Sequence, residues 1–175
     1  MLFVTFARVV RFDPLCDLTG GLIVNIRHIG ARAALLVSSF ILSTALWAQT
    51  APPTPTSVKG FAIVTPEQAR TMIGNAAFFD MRSAVNYGKG HVRTAVALPY
   101  DQKSELAENF NASLDKFDMS KLPADKSALI VFYSDGPTGW KSYKAARLSS
   151  EAGYKNVKWM REGTAGWTAQ RLPLE

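Results

Sequence analysis

Residues 131–142, which read VFYSDGPTGWKS, decide the fold of this chain. The apolar residues from Ala128 to Tyr133 are largely β-branched or aromatic, a composition typical of a fully buried strand. Turn-forming residues follow at 134–137, which read SDGP. A helical pattern then begins near Lys141. The stretch therefore predicts a buried strand, a glycine-containing loop and a helix in direct succession.

The loop between this strand and this helix has the composition of an anion-binding cradle. Glycines allow a loop to aim several backbone N–H groups at one point, and the helix N-terminus adds positive potential there. The side chain at the end of the strand, Ser134, would lie at the floor of the cradle. The predicted anion-binding residues are Ser134, Asp135, Gly136, Pro137, Thr138, Gly139, Trp140, Lys141 and Ser142.

Two residues of this loop have more than one interpretation. Lys141 is placed to attract an anion, and the alternative is a solvated lysine. For Trp140 the two interpretations are a ring that stacks on a ligand and a ring that fills the pocket, and the residue pattern does not distinguish them. Both interpretations depend on which way the side chain points, and the sequence does not determine that direction.

Strand-like and helix-like segments alternate along residues 60–175. The predicted strands are Gly60–Thr65, Ala76–Met81, Ala95–Leu98, Ala128–Tyr133 and Asn156–Met160, and the predicted helices begin near Thr65, Ala84, Lys103, Lys141 and Gly163. Several strands are continuously apolar, so both of their faces must be covered. We therefore predict a single α/β domain with a mainly parallel central sheet and helices on both faces.

The first 48 residues have the layout of a leader. Arg27 and Arg32 precede the apolar run Ala33–Leu42, and small residues follow it. The apolar stretch is shorter than the ~20 residues that a spanning helix needs. We therefore expect a signal peptide at about residues 27–48 and export to the periplasm or the medium. A retained membrane anchor is the alternative, and only then would the protein contact a membrane.

Prolines dominate the segment that follows the leader, residues 49–59. Such segments favour an extended backbone and do not build a core, so we expect a poorly ordered linker here. The predicted organisation is an N-terminal extension with its signal peptide at residues 1–48, a Pro-rich linker at 49–59, and the domain at 60–175.

The available residue types limit the chemistry of the exported part. Residues 49–175 contain 16 Lys and Arg and 12 Asp and Glu, scattered without a basic stripe, which argues against nucleic-acid binding. Cys16, the only cysteine of the chain, lies in the leader. Residues 49–175 therefore have no disulfide, thiolate metal site or cysteine nucleophile. Their only histidine is His91, so we predict no metal site and no cofactor.

From about Phe61 to Glu175 the chain resembles a rhodanese-like domain. The residues that carry the resemblance are Asp80-Met81-Arg82-Ser83, Gly90-His91-Val92 with Ala95 and Pro99, the stretch Val131–Ser142, Ala152–Val157, and Trp167 before Leu172-Pro173. Their order and spacing match the family over nearly all of residues 60–175. The resemblance implies the rhodanese-like fold, and the activity of that family is thiosulfate sulfurtransferase.

In that family, a cysteine at the end of the central strand forms a persulfide inside a ring of backbone amides. The corresponding position here is Ser134. The loop is similar to a subfamily pattern Y-C-x-G-P-x-C-x-K-S, whose cysteines match Ser134 and Gly139. A serine hydroxyl is a far weaker acid than a thiol, needs an adjacent base and cannot form a persulfide. The resemblance therefore implies the cradle without the family's activity.

Three hypotheses follow. The first is an exported, non-catalytic domain that binds a small anion, such as a sulfur oxyanion, or a partner protein. The second is a residual or altered sulfurtransferase or hydrolase that uses Ser134 with a nearby base. The third is a scaffold whose pocket Trp140 fills. Asp80 and Arg82 are expected to form a structural ion pair that supports the site, in preference to a catalytic pair.

Overall fold

The computed structural model describes residues 50–175 of the chain. Their elements are β1 (Ala62–Ile63), α1 (Pro66–Thr71), β2 (Ala77–Asp80), α2 (Ala84–Gly88), β3 (Val96–Ala97), β4 (Leu129–Tyr133), α3 (Trp140–Glu151), β5 (Asn156–Met160) and α4 (Gly163–Ala169), with short 3-10 turns at Ala112–Leu114 and Met119–Lys121. The predicted signal peptide and Cys16 lie outside the described residues. No helix within residues 50–175 is long and apolar enough to cross a membrane.

The five strands form one sheet in the order β1-β5-β4-β2-β3, and every pair of neighbouring strands is parallel. The apolar run that the sequence singles out becomes β4, the central strand, which pairs with β5 on one side and β2 on the other. The prediction of a mainly parallel sheet is confirmed. Since strand ends of a parallel sheet share one edge, the loop after β4 lies where ligands of such folds usually bind.

Both faces of the sheet are covered, as the sequence predicts. Side chains of β4 alternate between two core layers: Ile130 and Phe132 pack with the α3 side, whereas Val131 and Tyr133 pack with α1 and α4. All four are fully buried. Trp167 of α4 anchors the second layer. Burial on both faces explains why β4 has a continuously apolar sequence instead of an alternating one.

Local signals in the sequence set the start of α1 correctly. The Thr65 hydroxyl accepts a hydrogen bond from the Gln68 N–H, and the Gln68 side chain accepts one from the Thr65 N–H. This reciprocal pair is a capping box, and Pro66 occupies the first helical position. The predicted helix start near Thr65 is confirmed.

The predicted helix from Lys103 to Phe110 is wrong, because these residues form bends and irregular loop. The N–H groups of Lys103 and Ser104 donate to the carboxylate of Asp115 at 2.7 Å each. A residue distant in sequence therefore satisfies the donors that would begin the helix, and tertiary contacts override the local preference.

Asp115 also belongs to a buried ion pair that the sequence did not reveal. Lys144 of α3 is completely buried, and its Nζ lies 2.6 Å from Ser104 Oγ and 3.3 Å from Asp115 Oδ2. The hydroxyl of Tyr100 donates to the same carboxylate at 2.8 Å. This network ties the loop after β3 to α3. Because both charges are away from water, each depends on the other and on the surrounding hydrogen bonds.

The same contacts shift the pKa values of the pair. Burial by itself raises the pKa of Asp115, but the hydrogen bonds from Ser104, Lys103 and Tyr100 outweigh burial and hold the pKa well below its ordinary value of 3.8. Burial lowers the pKa of Lys144, and the Asp115 carboxylate opposes that change. The charged carboxylate therefore stabilises the fold above about pH 3.8, and this contribution is lost as the pH falls through the folded-state pKa.

We expect Asp115→Asn to lower the free energy of unfolding at pH 7 by about 3 kcal/mol, because Lys144 keeps its buried charge without a counter-charge. Urea denaturation at pH 7 and pH 3 measures the effect. At pH 3 the difference in free energy of unfolding between the variant and the native protein should be smaller by about 1 kcal/mol, because protonation of Asp115 destabilises the native protein. Asp101→Asn, which breaks only an exposed ion pair with Lys103, should change stability by less than about 0.5 kcal/mol. An equal loss at both pH values for Asp115→Asn would contradict this account.

A tight turn from Val92 to Ala95 carries a strained residue. The Ala95 N–H donates to the Val92 carbonyl at 2.9 Å, and Thr94 has a φ of 67°. That left-handed backbone suits glycine and is unfavourable for a β-branched residue. Arg93 precedes Thr94 in this turn and is exposed.

Thr94→Gly should therefore raise the free energy of unfolding by about 1 kcal/mol, because glycine adopts this backbone without strain. Chemical denaturation of the full chain measures the change. The matched control is Thr71→Gly, at an exposed helical position, which should lower stability instead. A loss of stability in Thr94→Gly would refute the assignment of strain.

Candidate functional site

The site begins where β4 ends. Ser134 follows Tyr133 directly, and only 1% of it is exposed to solvent. Its hydroxyl oxygen lies 2.8 Å from the hydroxyl oxygen of Ser142, and each of these oxygens contacts the Gly139 carbonyl oxygen, at 3.1 and 3.0 Å. The loop from Ser134 to Gly139 therefore curls back over the side chain at its own start.

Ser142 connects this group to the core. Its hydroxyl accepts a hydrogen bond from the indole N–H of Trp159 at 3.0 Å, and it is itself buried. We call Ser134, Ser142, the Gly139 carbonyl and the Trp159 indole the hydroxyl cluster. The sequence placed Ser134 and Ser142 in one loop region but did not indicate Trp159, which comes from the neighbouring strand β5.

The N-terminus of α4 holds the other side of the loop. The N–H groups of Thr164 and Ala165 donate to the carbonyls of Ser134 and Asp135, both at 2.9 Å. Gly163 adopts a left-handed φ of 54°, and a side chain there would clash with the Ser134 carbonyl. The glycine is thus required by close backbone approach, a role the sequence did not predict.

The interior of the loop is closed around Ser134. A Cβ placed on Gly139 would clash with the Ser134 hydroxyl, and the group that Gly139 turns toward that hydroxyl is a carbonyl oxygen. Several loop N–H groups have no protein acceptor within residues 50–175; they belong to Asp135, Gly136, Thr138, Lys141 and Ser142. These N–H groups are therefore free donors within residues 50–175, whereas the Ser134 hydroxyl at the floor of the loop is hydrogen-bonded to a neutral hydroxyl and a carbonyl.

No titratable side chain of residues 50–175 lies within hydrogen-bond distance of the Ser134 hydroxyl. His91, the only histidine of this region, stacks on Tyr87 with ring centroids 3.8 Å apart. Its backbone N–H and carbonyl pair with those of Glu175. His91 therefore has a structural role, and Ser134 lacks the adjacent base that a serine nucleophile needs.

Asp80 and Arg82 form the buried ion pair that the sequence favours. Two Arg82 nitrogens reach the two Asp80 oxygens, at 2.9 Å and 2.6 Å, and a further bond of 2.7 Å goes to the Gly90 carbonyl. Burial lowers the pKa of Arg82, but the bonds to Asp80 outweigh it and raise the pKa above its ordinary value. Within residues 50–175 its side-chain hydrogen bonds go to Asp80 and Gly90. None goes to the loop after β4, although the charge of Asp135 in that loop also raises the pKa of Arg82.

Trp140 is part of the core. It is 5% exposed, packs edge-on against Tyr143 at 5.3 Å between ring centroids, and donates from its indole N–H to the Pro52 carbonyl. It therefore offers no ring face for stacking on a ligand. Lys141, next in the chain, is partly exposed and forms no ion pair within residues 50–175.

The Pro-rich segment differs from the expected poorly ordered linker, because it packs against this loop. Thr54 is 3% exposed, and both its N–H and its hydroxyl donate to the Pro137 carbonyl. Arg161 donates to the carbonyls of Thr54 and Pro55. The extended backbone that the prolines favour leaves carbonyl groups free, and side chains from the domain bind them.

We expect Ser142→Ala to lower the free energy of unfolding by about 2 kcal/mol, because the Trp159 indole N–H would lose its buried acceptor. The control is Ser149→Ala on the same helix. Ser149 is equally buried, but it bonds only to the Ala145 carbonyl of its own helix, so its loss should be small. Thermal or urea denaturation measures both variants. Equal losses of stability in the two variants would show that the hydroxyl cluster contributes no more to the free energy of unfolding than an ordinary buried serine.

Known proteins share sequence similarity with this chain. A family model described as a rhodanese-like domain matches residues 65–170. The uncharacterized protein YibN of Escherichia coli strain K12 is 27% identical over 150 residues, which cover 85% of this chain and 94% of that protein.

Solved structures of the same class are similar to this chain. A rhodanese-like domain from Anabaena sp. is 29% identical with a TM-score of 0.42, covering 57% of this chain and 98% of that one. A thiosulfate sulfurtransferase from Pseudomonas aeruginosa is 19% identical with a TM-score of 0.46, covering 66% of this chain and 20% of that one. With the family model spanning most of the described residues, the chain belongs to the rhodanese-like domain family.

Proposed function

We propose that this protein is an exported, non-catalytic rhodanese-like domain in which Ser134 stands at the position of the family's cysteine. The observation that carries the proposal is the state of the Ser134 hydroxyl, which is buried, bonded to neutral groups and not hydrogen-bonded to any base of residues 50–175. A hydroxyl in this setting has no means of becoming a nucleophile, and oxygen cannot take the place of sulfur in a persulfide.

The retained activity in this proposal is binding. The N–H groups of Asp135, Gly136, Thr138, Lys141 and Ser142 have no acceptor within residues 50–175. The first three belong to the loop before α3, and the last two belong to its first turn. Backbone donors at a helix start favour a negatively charged group. The ligand would be a small anion such as a sulfur oxyanion, or a carboxylate of a partner protein, held on the outer side of the loop with Lys141 beside it.

A second candidate is a scaffold without a ligand at this loop. The closed packing between Gly139 and Ser134 favours it, as does the contact of Thr54 with Pro137. The two candidates differ in one respect, which is whether the loop N–H groups bind an anion or only water.

A sulfurtransferase assay on the full chain tests the proposal. It measures transfer of sulfur from thiosulfate to cyanide, which gives sulfite and thiocyanate. We expect no turnover by the native protein and measurable turnover by Ser134→Cys, because the cysteine would supply the thiol that Ser134 lacks at the end of β4. Ser113→Cys, which places a thiol on an exposed turn, is the control for nonspecific thiol activity.

Each other outcome has a definite meaning. Turnover by the native protein would overturn the proposal. If neither the native protein nor Ser134→Cys shows turnover, the scaffold is the better interpretation. Calorimetric titration of the native chain with thiosulfate, sulfite, sulfate and phosphate tests anion binding separately. If none of these anions gives heat, the proposed anion binding is refuted, whereas the proposed lack of catalysis is unaffected.

A further inference from the structure

A cavity of about 440 Å³ lies apart from the loop after β4 and shares no residue with it. It is formed by the end of α1, the turn after α2, α4 and the last residues of the chain. The lining residues are Arg70, Ile73, Arg93, Trp167, Leu172, Pro173 and Glu175. Its volume falls within the range of about 300–1,000 Å³ that is usual for small-molecule sites.

The wall of this cavity is held in place by hydrogen bonds. The Trp167 indole donates to the Pro173 carbonyl at 2.9 Å, and the Leu172 N–H donates to the Trp167 carbonyl at 3.1 Å. His91 and Glu175 exchange two backbone bonds of 2.8 and 2.9 Å. The residues that follow α4 are thus held by hydrogen bonds at Leu172, Pro173 and Glu175. The cavity therefore needs no rearrangement before it accepts a ligand.

Two arginines and one glutamate are the charged side chains that line the cavity. Arg70 and Arg93 are exposed, and within residues 50–175 neither forms an ion pair or donates a side-chain hydrogen bond. Glu175 also lines the cavity, and no ion pair joins it to either arginine. Every other arginine of residues 50–175 except Arg171 has a carboxylate or carbonyl partner. Free guanidinium groups bind carboxylate and phosphate oxygens through paired hydrogen bonds.

The remaining lining residues are apolar. Ile73, Leu172 and Pro173 supply aliphatic surface next to the buried ring of Trp167. An inorganic anion would leave this surface unused, and an apolar molecule would leave the arginines unpaired. The lining therefore fits a ligand that has both an anionic group and an apolar body.

We propose that this cavity is a second binding site, for a small organic anion in which a phosphate monoester or carboxylate group carries an aromatic or short alkyl body. Arg70 and Arg93 hold the anionic oxygens, and the body lies against Ile73 and Leu172 beside Trp167. The site is independent of the loop after β4, so it stands whether or not that loop binds an anion.

Nuclear magnetic resonance of the full ¹⁵N-labelled chain tests the site with phenyl phosphate as the probe. The indole N–H resonance of Trp167, identified with Trp167→Phe, should shift on titration, because this side chain lines the cavity. Inorganic phosphate has the anionic group without the ring, and phenol has the ring without the anionic group. Each should bind at least about tenfold more weakly than phenyl phosphate. Absence of a Trp167 shift with phenyl phosphate would overturn the proposal, as would equal binding of inorganic phosphate.

Arginine variants complete the test. Arg70→Gln and Arg93→Gln should each weaken phenyl phosphate binding on the order of tenfold, because each removes a charge-assisted hydrogen bond. Arg171→Gln is the matched control. It removes the same charge from an exposed arginine that precedes Leu172 but does not line the cavity, so binding should be unchanged. An equal loss in all three variants would indicate diffuse attraction to a basic surface and would refute a defined site.

Discussion

The covering of both faces of β4 is the constraint on which the other features depend. A strand buried on both sides and paired on both edges has no contact with solvent except at its ends. The chain therefore leaves the sheet after Tyr133, and the loop 134–139 connects it to α3. Its carbonyls are then within reach of α4, whose N–H groups bind two of them. The position of the candidate site is a consequence of how the sheet is packed.

A hydroxyl at the end of that strand has different requirements from a thiol. A buried hydroxyl costs free energy unless it is hydrogen-bonded, whereas a buried thiol behaves largely as a small apolar group. Ser134 meets its requirement through Ser142 and the Gly139 carbonyl, and Ser142 in turn accepts from Trp159. The reactive position implied by the family resemblance is here a junction of structural hydrogen bonds, which is the physical basis for proposing a domain without catalysis.

Polar groups also organise the part of the chain that lacks regular structure. The long connection between β3 and β4 has little helix or strand of its own, and it is held to α3 by the buried pair of Lys144 and Asp115 with Ser104. The net attraction within such a pair adds little to the free energy of folding. Removing one partner is costly, because the other charge then stays buried without a counter-charge. The pair therefore specifies which surface of α3 the connection covers. Thr54 and Pro52 do the same for the Pro-rich segment on the other side of the loop.

The sequence by itself determined the features that depend on neighbours in the chain. Those features are the apolar β4, the alternation of strands and helices, the capping box of Thr65, and the pairing of Asp80 with Arg82 two residues apart. Only the tertiary structure decided which groups meet across long separations. It buried Lys144 against Asp115, brought Trp159 to Ser142, and prevented a helix after Lys103. Periodicity and capping report on contacts within a few residues, whereas these contacts join elements that pack together only once the sheet has formed.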